Sequence, residues 1–107
     1  MSESYISPQE LEEKIINEIK GIYDPEIPVN IYDLGLIYDI AITEQNEVVV
    51  LMTLTSPNCP EAIGLPAEVQ ERIKQIEGVK DAKVLLTFDP PWDKSMMSEI
   101  ARFELGF

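Results

Sequence analysis

A chain of 107 residues matches the commonest domain size and leaves room for one domain, residues 1–107, around one core. Its 45% hydrophobic content can fill a packed interior and its 26% of charged residues is ordinary for a soluble protein, which argues against a disordered chain. Twenty acidic against eight basic residues leave a formal charge of −12, so phosphate-rich partners are repelled and nucleic acid is not an expected ligand.

Ser7, Pro8 and Glu10 read as a capping box with proline in the first helical turn. The helix that follows carries Leu11, Ile15, Ile19 and Ile22 at helical spacing, with Ile16 and Tyr23 widening the apolar stripe and Gly21 near its end. Residues 24–30 hold Pro25 and Pro28, which remove backbone donors and disfavour helix before them, so this is a loop of fixed shape. Leu36, Tyr38, Ile40 and Ile42 alternate along a first strand. Glu44 to Glu47 form a turn, and Val48 to Thr55 form a second strand apolar on both faces, as a central strand requires.

Ser56, Pro57 and Asn58 make a turn, after which Cys59 and Pro60 open a second helix through Leu65, Val69, Ile73 and Ile76, with Gly78 closing it. Lys80 to Asp89 alternates as a third strand, with Ala82, Val84, Leu86 and Phe88 on one face, until Pro90, Pro91 and Trp92 stop it. Asp93 caps a final helix through Met96, Met97, Ile100 and Phe103. The expected fold is an α+β two-layer sandwich, a small mixed sheet with helices on one face, in the order α-β-β-α-β-α.

No basic-then-apolar leader opens the chain and no 18 consecutive residues are apolar, so no membrane association is expected. A lone cysteine fits a reducing compartment, and cytoplasm is the expected location. The chain has no histidine, which removes the usual base for a serine or cysteine nucleophile, and no glycine-rich phosphate loop is present. A non-enzymatic role is expected, with thiolate and carboxylate chemistry only.

Cys59 is the sharpest candidate. At a helix start the macrodipole and free N–H groups favour thiolate, and with it soft-metal binding; the other reading is a small buried apolar side chain. One thiolate cannot close a metal site, so further ligands would come from a homodimer partner, a client protein or a small thiol. Asp24 and Glu26 either present carboxylates to iron or a basic partner, or serve as a loop cap and a solvated side chain. Thr55 and Ser56 are supporting candidates, through hydrogen bonds to the thiolate or to early helix N–H groups. Trp92 belongs to a segment suited either to partner contact or to completing the core, and Glu99 and Arg102, three apart, are partner candidates that can also pair with each other.

Asp24-Pro25-Glu26 running on through Asp33-Leu34-Gly35, Thr55-Ser56-Pro57-Asn58-Cys59-Pro60, Asp89-Pro90-Pro91-Trp92, and Met97-Ser98-Glu99 with Ala101-Arg102 closely resemble the SufT and PaaD-like family. The resemblance implies a domain similar to the C-terminal scaffold domains of NifU-type proteins and a role in assembling or delivering iron-sulfur clusters. Its implied partners are a cluster carrier or scaffold and apo-client proteins. It places the family's functional positions on Asp24, Glu26, Thr55 and Cys59. The chain lacks the CxxC pair of NifU-type scaffolds and the cysteine-rich extension of PaaD, so the implied cargo is a transient iron or cluster, with none held tightly by the monomer. A metal-free adaptor joining apo-clients to a carrier is the alternative.

Overall fold

The computed structural model describes residues 7–25, 27–55 and 63–106. Helix α1, Pro8–Ile19, begins on the expected capping box: Glu10 N donates to Ser7 Oγ at 3.2 Å, and Ser7 N donates back to Glu10 Oε1 at 3.3 Å. Leu11, Ile15 and Ile19 are fully buried, each such side chain worth about 1.5–3 kcal/mol by removal from water. The stripe is shorter than expected. Ile22 is buried from the turn beyond the helix, whereas Tyr23 is 59% exposed and bridges to Asn30 through its backbone, so it does not widen the helical face.

A short helix α2, Ile31–Leu34, follows the proline loop, where periodicity gave no helix. Its ends explain it. Asn30 Oδ1 accepts from Asp33 N at 2.9 Å, Asn30 Nδ2 donates to Asp33 Oδ2 at 2.8 Å, and Gly35 closes the turn at φ 91°. Ile31 and Leu34 are thereby turned into the core.

Strands β1, Ile37–Ile42, and β2, Glu47–Met52, form the expected antiparallel hairpin, with Ile40 opposite Val50 and a bulge between Ile37 and Asp39. Strand β3, Asp81–Leu86, pairs in parallel with β2, Val84 opposite Val50. The sheet is therefore mixed, in the order β1-β2-β3, with β2 central. Val48, Val50 and Met52 are buried, while Val49 and Leu51 on the other face are half-buried. Beyond Met52 the strand stops, although Thr53 and Leu54 remain buried.

Helix α3, Leu65–Lys74, makes the crossover between the parallel strands and buries Leu65, Val69 and Ile73 in the same cluster as the α1 stripe. Ile63 and Gly64 form a turn, and Gly64 is the N-cap of this helix without a side-chain bond; the expected start at Cys59 and Pro60 lies outside the described residues. In β3, Ala82 is buried and Val84 half-buried, but Leu86 and Phe88 are 44% and 38% exposed, so the covered stretch ends near Val84.

The single final helix expected after Asp93 is two elements. Asp93 caps a 3₁₀ turn, Lys94–Met96; Met97 is extended at φ −69°, ψ 146°, and Ser98 caps a new helix α4, Glu99–Leu105. Each cap bonds an N–H two or three residues ahead, Ser95 N for Asp93 and Ala101 N for Ser98, so the helical path restarts instead of continuing. Met97 and Ala101 are buried, whereas Ile100 and Phe103 lie outside the core. The Ser95 hydroxyl, with the Ser95 N–H next, holds the Asp93 carboxyl below its usual range. A depressed carboxyl favours the fold above its unfolded pKa, so this cap holds at neutral pH and weakens as pH falls through the acidic carboxylate range.

Both edges of the sheet carry side-chain plugs. Gln70 Oε1 accepts from Val84 N at 3.1 Å and Asp81 Oδ1 from Ala82 N at 2.9 Å on the β3 edge; on the β1 edge Asp39 Oδ1 accepts from Ile40 N at 2.9 Å. Replacing Gln70 by alanine is expected to lower the unfolding free energy by about 1 kcal/mol. Urea titration measures this as an earlier midpoint at constant slope; an unmoved midpoint would show that the Gln70 bond contributes nothing.

Candidate functional site

The segment from Asp89 to Ser98 lies as a strap against the α2–β1 connection, and three bonds fix it there. Trp92 Nε1 donates to the Leu34 carbonyl at 2.8 Å, the Tyr38 hydroxyl donates to the Pro90 carbonyl at 2.8 Å, and Ser98 N donates to the Asp33 carbonyl at 2.8 Å. The Asp89–Pro90 peptide is cis. Gly35 sits beneath the strap so tightly that a Cβ built on it would meet Met96 O at 2.5 Å.

Strap and sheet border an open groove of about 680 Å³. Tyr32 and Asp33 of α2 form one wall, Ile37, Tyr38 and Leu51 the sheet side, and Asp89, Pro90 and Met96 the strap side. A second hollow of about 210 Å³ shares Tyr32, Ile37 and Tyr38 with it and continues past the bulge of β1 to Glu12, Ile16 and Asp39. Lys20 Nζ lies 5.4 Å from the centroid of the Tyr32 ring.

The sequence candidates fall in three places. Asp24 is buried, with Oδ1 accepting from Ile27 N at 3.0 Å, the geometry of a loop cap. Thr55 is half-buried at a bend three residues past β2. Cys59, Glu26 and Ser56 lie outside the described residues, as does the expected Cys59-Pro60 helix start. Trp92 is half-buried against the core and its indole N–H is engaged within the chain, so the core-completing reading describes its placement. Arg102 donates to the Ser95 carbonyl at 2.9 Å, tying α4 to the 3₁₀ turn, and Glu99 is exposed in the first turn of α4.

Among the described residues no three histidine, cysteine or carboxylate side chains are grouped so as to hold a metal ion, and no helix is long and apolar enough to cross a membrane. Sequence patterns do not show the groove because Met96 stands about 60 residues beyond Asp33 and Tyr38; Asn30 and Gly35 as helix caps are the available signal.

A model of the iron-sulfur cluster assembly protein family matches residues 12–86. The chain belongs to that family. It is 51% identical over 96 residues to an Fe-S protein maturation auxiliary factor of Porphyromonas gingivalis, covering 90% of this chain and 91% of that one. It is 38% identical to the Fe-S protein maturation auxiliary factor YitW of Bacillus subtilis, covering 90% and 94%. A crystal structure of a domain of unknown function from Bacillus anthracis superposes with a TM-score of 0.85 at 34% identity, covering 92% of this chain and 94% of that one. The resemblance and the α+β architecture expected from sequence both hold. The family match contains Asp24, Glu26, Thr55, Ser56 and Cys59, whereas the strap with Trp92, and Glu99 and Arg102 beyond it, follows the matched segment.

Proposed function

We propose that this chain is a non-enzymatic auxiliary factor that helps assemble iron-sulfur clusters or deliver them to client proteins in the cytoplasm, with a carrier or scaffold and apo-clients as its partners. One observation carries this reading: relatives named as Fe-S protein maturation auxiliary factors align with about nine-tenths of both chains. Cys59 is the transient ligand of the cargo, iron or a cluster, since it is the one thiol of the sequence. Asp24 shapes the adjoining loop from its buried position, and Glu26, Thr55 and Ser56 complete the surroundings of the thiolate. Remaining ligands come from a client, a small thiol or a second copy of the chain.

Replacing Cys59 by serine is expected to leave the melting temperature unchanged, to abolish iron uptake on anaerobic reconstitution, and to lower client iron-sulfur enzyme activity in cells to the level of a deletion strain. Unchanged client activity would remove Cys59 from the mechanism. A metal-free adaptor is the second reading, favoured by the groove between strap and sheet; it predicts client complexes that survive loss of the thiol.

A further inference from the structure

The two hollows share three lining residues, Tyr32, Ile37 and Tyr38, and taken together as one trough their chemistry is one-sided. Among the described residues that line them, Asp33, Asp89, Glu12 and Asp39 bring carboxylates, and none is a lysine or arginine. Glu12, Asp39 and Asp89 are exposed, Asp39 while its Oδ1 accepts from Ile40 N. The floor is apolar: Ile37, Leu51, Pro90 and Met96. Leu51 pairs in register with Leu85, which is 42% exposed, so the apolar strip runs on from the groove over the open face of the sheet. The stacking of Lys20 on Tyr32 shows within the molecule that an aromatic wall of this trough takes a cation.

We infer that the trough docks an extended basic segment of a partner protein, in which arginine or lysine side chains alternate with aliphatic ones. The cations meet the rim carboxylates and the Tyr38 ring, while the aliphatic side chains lie on Ile37, Leu51 and Met96. Charge complementarity selects this occupant over an acidic segment or a nucleic acid, since a chain of formal charge −12 steers cations inward at long range. The inference rests on the maturation role proposed above and names the docking chemistry of its partner; it uses no atom of Cys59.

The test is a nitrogen-15 NMR titration of metal-free C59S protein with acetyl-Arg-Leu-Arg-Leu-amide, acetyl-Glu-Leu-Glu-Leu-amide and arginine amide. The basic peptide should give saturable shifts centred on Tyr32, Ile37, Tyr38 and Leu51, and the acidic one none. Combining Asp39→Asn with Asp89→Asn keeps amide oxygens in place of the carboxylates, and should weaken the basic peptide about fivefold or more at low salt. Shifts scattered over the surface, equal response to both leucine peptides, shifts from arginine amide alone as large as from the peptide, or an affinity indifferent to the two substitutions would each overturn the assignment. In cells, D39N/D89N in the Cys59 background should lower client maturation while anaerobic iron uptake stays intact. Failure of iron uptake in the parent protein with peptide binding preserved would instead count against the ligand role of Cys59.

Discussion

Gly35→Ala is expected to destabilise the domain by about 3 kcal/mol or more, a fall in melting temperature of at least about 12 °C for a chain of this length. Two causes act at once. Gly35 closes α2 in the left-handed region at φ 91°, where an L side chain costs about 1–2 kcal/mol. Its added methyl would also lie 2.5 Å from Met96 O and 2.9 Å from Met96 C, backbone atoms of the strap that no rotamer change can move aside. Gly35→Asn separates the two, because asparagine tolerates the left-handed region but keeps the Cβ. If steric exclusion dominates, asparagine is no better than alanine; an asparagine variant as stable as the parent would show that only the dihedral matters. Thermal unfolding by circular dichroism reads all three proteins.

Trp92→Ala is expected to cost about 3 kcal/mol, the low end for removing a large aromatic side chain because the indole is only half-buried. Part of the loss is packing against the core, and part is the Leu34 carbonyl, which ends α2 and takes the indole N–H at 2.8 Å. Trp92→Phe keeps most of the ring and removes the donor, so about 1–2 kcal/mol should remain lost. Trp92 is the one tryptophan, so its emission also reports whether the strap is seated. In the Gly35→Ala protein the emission should move to longer wavelength before the helices melt. A Trp92→Ala protein of parental stability would show that the remaining strap bonds, Tyr38 to Pro90 and Ser98 to Asp33, hold it without the indole.

What the sequence revealed depended on how local the determining physics is. The α1 capping box, the hairpin with its β-branched central strand and the α3 stripe each rest on side chains within one element, and each formed where expected apart from its ends. Helix α2 was hidden because four residues show no periodicity; only its caps, Asn30 and Gly35, announced it. The final helix was misjudged because Ile100 and Phe103 fit an apolar stripe with Met96 and Met97, whereas Ser98 offers a second cap that resets the phase and turns both outward. The groove required knowing that Tyr38 reaches Pro90, 52 positions on, a pairing no local pattern contains. Trp92 fits either a partner contact or the core by its sequence alone, and its bond to Leu34 ties it within the chain.

The plugged borders of the sheet bear on how another strand could join it. A neighbour joining laterally by strand addition would first have to displace Gln70 from Val84, Asp81 from Ala82, or Asp39 from Ile40, forfeiting about 1 kcal/mol for each donor before any new ladder forms. Packing against the open face of the sheet displaces none of these bonds, so a neighbour is favoured face-on and continuous intermolecular β-structure is disfavoured.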